Sequence, residues 1–215
     1  MMGKCKLEII NLTKTYNDKN IFDHFSLTLP EKGTVCLYGP SGCGKTTLLN
    51  CIAGLEPYDS GVIAGVEKRK IAYLFQENRL LPWISAAENI AAVLRGNEIQ
   101  NREEARIWMR LVGLEGEEDK LPAQLSGGMK RRVAIARVLA YGGDLFLLDE
   151  PFRGLDPESK EQMISLIKQR TNDALKILVT HDKQEAEILA DITYILSGPP
   201  VKIDKKIERN LQEVM

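Results

Sequence analysis

The segment Thr34–Leu55 constrains this chain more than any other. TVCLY (34–38) is a short apolar run suited to a buried parallel strand. Gly39-Pro40-Ser41-Gly42-Cys43-Gly44-Lys45-Thr46 follows and matches the spacing G-x-x-x-x-G-K-[ST]. TTLLNCIAGL (46–55) then reads as a helix closed by Gly54. A strand, a glycine-rich turn and a helix form the context this spacing requires. Glycines let the backbone wrap closely around phosphate and aim several N–H groups inward. The helix adds its positive end. Lys45 can reach the β- and γ-phosphates, and Thr46 can hold Mg²⁺ through its hydroxyl. The segment therefore predicts a nucleoside triphosphate site rather than a plain glycine-rich turn.

LFLLDE (145–150) supplies the complementary half. Four apolar residues bury a strand, and Asp149 then emerges to bind Mg²⁺ directly or through water. Glu150 is one residue further along, closer to an attacking water, where a carboxylate can act as general base. Elsewhere, residues 6–38 look strand-rich: Leu7, Ile9 and Asn11 alternate with polar neighbours, and IFDHFSLTL (21–29) alternates again. Two short strands fall between 58 and 75, ending in IAYLF (71–75). From Ile84 to Gly113 the pattern is helical, with Gly96 and Gly113 as stops, and VAIARVLAYGG (133–143) is a further helix. A helix from about Pro157, a strand LKILVT (175–180), a helix from about Lys183 and a strand ITYIL (192–196) complete the order. Such alternation predicts an α/β fold with a mainly parallel sheet flanked by helices.

Composition narrows the class. Of 215 residues, 44% are hydrophobic and 27% charged, which suits a globular chain rather than a disordered one. No apolar run approaches the ~18 residues of a membrane span, and MMGKCKLEII is interrupted by charge too early for a signal peptide. A net charge of −1 exerts no overall pull toward nucleic acid. Cys5, Cys36, Cys43 and Cys51 form no C-x-x-C pair and no Cys/His cluster, so they read as reduced thiols of a cytoplasmic protein. His24 and His181 are the two candidates for imidazole chemistry.

Three further features join these. Gln76 follows the strand IAYLF, LSGGMKRR (125–132) precedes a helix, and His181 follows the strand ILVT. The order phosphate loop, Gln, LSGG, LLDE, GLD, His resembles the ATP-binding cassette (ABC) ATPases over nearly the whole chain. The resemblance implies one ATPase domain over 1–215: a P-loop NTPase core, an antiparallel β subdomain, and a helical subdomain inserted at about 84–140. It implies that Tyr16 stacks on adenine. Gly39, Pro40, Ser41, Gly42, Cys43, Gly44, Lys45, Thr46 and Thr47 would contact the nucleotide. Thr46, Gln76 and Asp149 would hold Mg²⁺, and Lys45, Gln76, Glu150 and His181 would act in hydrolysis.

Ser126 is suited to cap the helix it precedes, and Gly127 and Gly128 leave the first N–H groups open to an anion. The resemblance makes that anion the γ-phosphate of ATP held by a second chain, in an ATP-dependent head-to-tail homodimer. It also places Asp156, in GLD (154–156), across that interface. The basic run Lys130-Arg131-Arg132 reads as a solvated helix face rather than a nucleic-acid contact.

The resemblance further implies a separate membrane permease, an indirect solute-binding protein, and a place on the cytoplasmic face of the membrane. Leu80-Leu81-Pro82-Trp83 is apolar for a loop, and it lies where the family meets its permease. This stretch, with Met129, resembles the nitrate, sulfonate and taurine importer group; the alternative is that Trp83 packs inside the helical lobe. Arg153 replaces a more usual small residue, and no regulatory domain is expected after 201–210. Two rival readings are weaker. DNA- or ribosome-acting cassettes call for a coiled-coil insertion or a second cassette, and a non-hydrolysing switch would not need both Glu150 and His181.

Overall fold

The computed structural model describes residues 6–209; Cys5 lies outside them. The chain divides into two compact units. The first runs to Ile71 and includes Asp144–Asp149 and the chain from Asp173; the second comprises Ala72–Gly143 and Glu150–Asn172.

In the first unit, β1 (Leu7–Tyr16) pairs antiparallel with β2 (Lys19–Leu29) and β4 (Ser60–Ala64), in the order β2-β1-β4. Leu7, Ile9, Leu12 and Lys14 point inward. The expected alternation through Asn11 fails. Asn11 is exposed with φ 48°, and the register shifts between Ile9 and Leu12. A bulge inserts one residue and hands the inward position to Leu12, and asparagine tolerates the left-handed conformation this requires. Gly61 of β4 crosses at that point, where a Cβ would lie 2.6 Å from the Asn11 carbonyl oxygen.

The second sheet of this unit carries the strands β3 (Gly33–Tyr38), β6 (Leu145–Asp149), β7 (Leu175–Thr180), β8 (Ile192–Ser197) and β9 (Lys202–Glu208). Their order is β6-β7-β3-β8-β9, parallel except for β9. Every residue of β6 and β7 is buried, which is why both read as unbroken apolar runs. Register brings three strand ends level. Tyr38 of β3 pairs with Thr180 of β7, and Asp149 of β6 pairs with Val179. The phosphate loop, Asp149 and His181 therefore leave the sheet along one edge, the carboxyl edge where α/β sheets bind ligands. The strand β9 had no counterpart in the sequence reading. It is exposed throughout, so no buried stripe marks it. Helices α1 (Lys45–Ile52) and α6 (Lys183–Leu189) belong to this unit.

The second unit is mostly helical. After β5 (Ile71–Leu74) come α2 (Ala86–Ala91), α3 (Glu98–Leu111), α4 (Gly127–Tyr141) and α5 (Pro157–Arg170). Capping boxes start two of them, Ser85 with Glu88 and Asn97 with Gln100, each satisfying orphan N–H groups. The first of these helices stops well short of Gly96. There the N–H groups of Val93 and Leu94 bond three residues back, to Ile90 and Ala91, and tighten the chain out of the α geometry. Ile90, Ala105, Met109, Val112, Val133, Ala134 and Ala136 form its dry interior.

Two expectations are corrected in this unit. Helix α4 begins at Gly127, six residues before the expected VAIARVLAYGG, so Lys130-Arg131-Arg132 lies inside it. That run is not a solvated face. Arg131 is 2% exposed, and Arg132 Nη1 donates to the carbonyls of Val112 and Gly113 at 3.1 and 3.0 Å, capping the end of α3. For Trp83 it is the alternative, packing inside the helical lobe, that fails: the side chain is 72% exposed.

Its loop is nonetheless rigidly held. Asn89 is fully buried; its Oδ1 accepts from Leu81 N–H at 2.8 Å, and its Nδ2 donates to the carbonyls of Leu81, Ile84 and Ser85. Arg137 donates to the carbonyls of Asn78 and Arg79 at 2.9 Å each. Substituting Asn89→Ala strands several of these backbone groups, at about 1–3 kcal/mol for each left without water. A thermal melt should fall by several degrees, at about 2–4 °C per kcal/mol. An unchanged melting temperature would show that the loop is not held through Asn89.

Candidate active site

The first unit holds the phosphate loop, Asp149, His181 and Tyr16. Gly44 caps α1 with φ 112°, and Gly42 has φ 79°. Both values are ones that side-chain-bearing residues avoid. The fold also packs against the loop from behind. A Cβ on Gly44 would fall 2.7 Å from Val201 Cγ2 and 2.8 Å from Ile21 Cγ2; one on Gly39 would fall 2.5 Å from the Leu196 carbonyl oxygen. Gly42, by contrast, faces open space, so its backbone can be approached from outside.

Lys45 opens the helix and curls back. Its ammonium donates to the Gly39 carbonyl at 2.7 Å and the Pro40 carbonyl at 2.8 Å, with the Cys43 sulfur at 3.8 Å. The side chain is 6% exposed. A buried cation on neutral carbonyls is a site in want of an anion. One residue on, Thr46 Oγ1 donates to Asp149 Oδ2 at 2.7 Å, joining helix α1 to the end of β6. A hydroxyl and a carboxylate in contact form an all-oxygen donor pair, the kind a hard divalent cation such as Mg²⁺ takes. The residues present therefore fit that ion.

Tyr16 is 40% exposed at the end of β1. Lys14 Nζ sits 4.5 Å from its ring centroid and pairs with Glu56 at 3.0 Å. Burial, then the hydrogen bond to Glu56, push the Tyr16 phenol up to about 12. It stays neutral at physiological pH and can donate to Glu56. The ring is thus braced by a cation. Neither Lys14 nor Glu56 stood out in sequence. His181 is exposed just beyond β7. Cys36, Cys43 and Cys51 are buried and in no disulfide among the described residues, and burial drives the Cys51 thiol up to about 11, so it is not a reactive thiolate.

The second unit holds Gln76, Ser126–Gly128, Glu150 and Asp156. Ser126 caps α4, accepting from Met129 N–H at 3.2 Å. A Cβ on Gly127 would meet nothing within 4 Å, and one on Gly128 would sit 3.4 Å from the Gly154 carbonyl oxygen. This chain's own packing therefore does not demand glycine at 127, which leaves the helix start open to an outside group. Asp156 caps α5, accepting from Ser159 N–H at 2.9 Å, a bond that holds its carboxyl below the usual range. Arg153 is exposed, and its N–H donates to the Glu150 carbonyl at 3.2 Å.

Glu150 has φ 48°, a left-handed backbone that is uncommon for a residue bearing a side chain. Strain of this kind persists where the surroundings over-determine it, and it gathers at functional sites. Gln76 is exposed. The residue that sequence reasoning missed here is Arg131, which touches the backbone at both. Its signal was helical phase: positions 131, 135 and 138 share one stripe, and all three are buried.

Comparison with known proteins places these features. The family described as ABC transporter matches residues 22–153. The taurine import ATP-binding protein TauB of Escherichia coli O157:H7 is 40% identical, over 95% of this chain and 84% of that protein. The aliphatic sulfonates import ATP-binding protein SsuB of Bacillus cereus (strain ATCC 10987 / NRS 248) is 38% identical, over 89% of this chain and 79% of its own length. A solved dimeric ATP-binding cassette in a post-hydrolysis state, bound to ADP and Pi, superposes with a TM-score of 0.84. It is 28% identical and covers 95% of this chain and 100% of its own. With the phosphate loop, the LSGG helix start and the strand-end carboxylates in this order, the chain belongs to the ABC transporter family and has the fold of its ATP-binding cassettes.

Proposed function

We propose that this chain is the ATP-binding and ATP-hydrolysing subunit of an importer of the taurine and aliphatic sulfonate group, working on a separate membrane permease. The observation that carries it is the Lys45 ammonium held over the phosphate loop beside the Thr46–Asp149 pair. The relatives' printed activities support import and ATP binding.

Loop N–H groups from Gly39 to Thr47 bind the phosphates, and Lys45 leaves its carbonyl partners to meet the β- and γ-phosphoryl oxygens. Tyr16 stacks on adenine, braced by Lys14. Thr46, Asp149 and Gln76 would hold Mg²⁺, which when bound would neutralise charge on the phosphate tail. Glu150 takes a proton from water as that oxygen attacks the γ-phosphorus in line, and ADP leaves. His181 hydrogen-bonds the γ-phosphate and keeps the water beside Glu150. Ser126, Gly127 and Gly128 of a second copy close on the same γ-phosphate, giving a head-to-tail dimer. Loss of that phosphate loosens the dimer, and the opening drives the permease. Asp156 lies at the dimer interface while capping its own helix.

Among the described residues no helix is long and apolar enough to cross a membrane. Because the relatives are import ATP-binding proteins, the permease is assigned to another chain and this one to the cytoplasmic face of the membrane. A solute-binding protein acts through the permease and touches none of these residues. Trp83, exposed on a loop pinned by Asn89, suits the permease contact: an exposed aromatic on a rigid support loses little entropy on docking.

Three outcomes are expected. Lys45→Ala should weaken ATP binding about 10- to 100-fold by calorimetry, the value of a charged hydrogen-bonding group; wild-type affinity would remove the basis of the site. Glu150→Gln should cut hydrolysis at least about 100-fold and elute as a dimer with ATP and Mg²⁺ on a sizing column. Monomer alone under those conditions would count against the sandwich for the isolated chain. Trp83→Ala should reduce co-purification with the permease while ATP affinity holds; full recovery of the complex would refute the docking role.

A further inference from the structure

Arg131 is the largest fully buried side chain among the described residues. Its guanidinium lies between two backbone segments. On one side Nε donates to the Pro151 carbonyl and Nη2 to the Glu150 carbonyl, each at 2.8 Å. On the other, Nη1 donates to the Phe75 carbonyl at 2.6 Å, to Asn78 Oδ1 at 3.3 Å and, at 3.4 Å, to the Gln76 carbonyl. One rigid planar fork thus grips the peptide after Glu150 and the turn that carries Gln76.

That grip bears on the left-handed backbone of Glu150. Its carbonyl is fixed by Arg131 and by the N–H of Arg153, and the next residue is Pro151, whose ring sets its own φ. The peptide leaving Glu150 therefore has little freedom, and the direction of the Glu150 carboxylate follows from it. We propose that Arg131 is a positioning residue for hydrolysis: it holds Glu150 in its strained conformation and ties it to the Gln76 turn, so that the two move as one body. The role rests on Glu150 and Gln76 acting in hydrolysis as proposed above. A lysine would keep the charge but reach one segment at a time, because an ammonium has no planar fork.

The neighbouring Arg132 provides a matched control. It also sits in α4 and also holds carbonyls, but those of Val112 and Gly113, away from both segments. The test measures ATPase kcat, KM and ATP dissociation constants for Arg131→Gln, Arg131→Lys and Arg132→Gln, with melting curves for each. Both Arg131 variants should lose kcat about 10- to 100-fold, the scale of a small misplacement of a reacting group, with KM and ATP affinity near wild type. Arg132→Gln should melt lower yet keep kcat per folded molecule. A lysine variant turning over at the wild-type rate overturns the proposal, as does an equal loss of kcat in the Arg132 variant. Should neither Arg131 variant fold, Asn78→Ala leaves Arg131 in place and trims the Gln76 side alone. A fall in kcat at unchanged ATP affinity then upholds the tie, and an unchanged kcat removes it. Lys45→Ala is measured alongside: hydrolysis that survives it is a failure of the site assignment, distinct from a failure of Arg131.

Discussion

Much of this protein hangs on one buried cation that donates to neutral carbonyls. Lys45 keeps its ammonium in a loop where its nearest partners are the carbonyls of Gly39 and Pro40. Neutral carbonyls repay only part of the hydration a buried ammonium loses. The loop can hold it because Gly42 and Gly44 adopt positive φ, and because Ile21, Leu196 and Val201 close in behind. Those three residues come from β2, β8 and the turn before β9. The antiparallel sheet and the last strands of the second sheet therefore both pack behind the same phosphate loop. A polyphosphate tail is the natural complement, since it supplies the charge that the carbonyls do not.

The second unit solves a different problem with the same chemistry. Its irregular stretches, 75–85 and 150–153, carry Gln76, Trp83 and Glu150, and loops of this kind are normally mobile. Here three polar side chains, the buried Arg131 and Asn89 and the half-buried Arg137, hold them by their backbone carbonyls. Two of the three stand on α4, whose first turn is the LSGG segment. The helix that starts with LSGG is thus joined to both stretches by hydrogen bonds of 2.6 to 2.9 Å.

Legibility in the sequence followed burial. Strands β3, β6 and β7 lie in the dry interior and spell themselves out as apolar runs, so the motifs at their ends could be placed before any coordinates. Strand β9 has no buried face, and Asn11 sits on a bulge that shifts the pattern by one, so both escaped a reading by periodicity. The basic run at 130–132 was misread for a related reason. A charged residue in a sequence looks solvated, and only a set of converging carbonyls from distant segments makes a buried guanidinium stable. Lys14 was passed over in the same way, its ammonium lying over the Tyr16 ring.

The local code was enough to determine the phosphate loop, the strand-end carboxylates, the capped LSGG helix and, through them, the family. Each of these depends on spacing within one element, where glycine, a small hydroxyl or an apolar run has a direct conformational meaning. Tertiary structure alone decided that Arg131 belongs to the interior, that Trp83 stands out on a pinned loop, and that Glu150 is held left-handed. Those facts come from groups in different elements, up to 59 residues apart, meeting in space. Chain separation hides such meetings, because the energy of a buried hydrogen bond depends on which partner arrives and not on where along the chain it began.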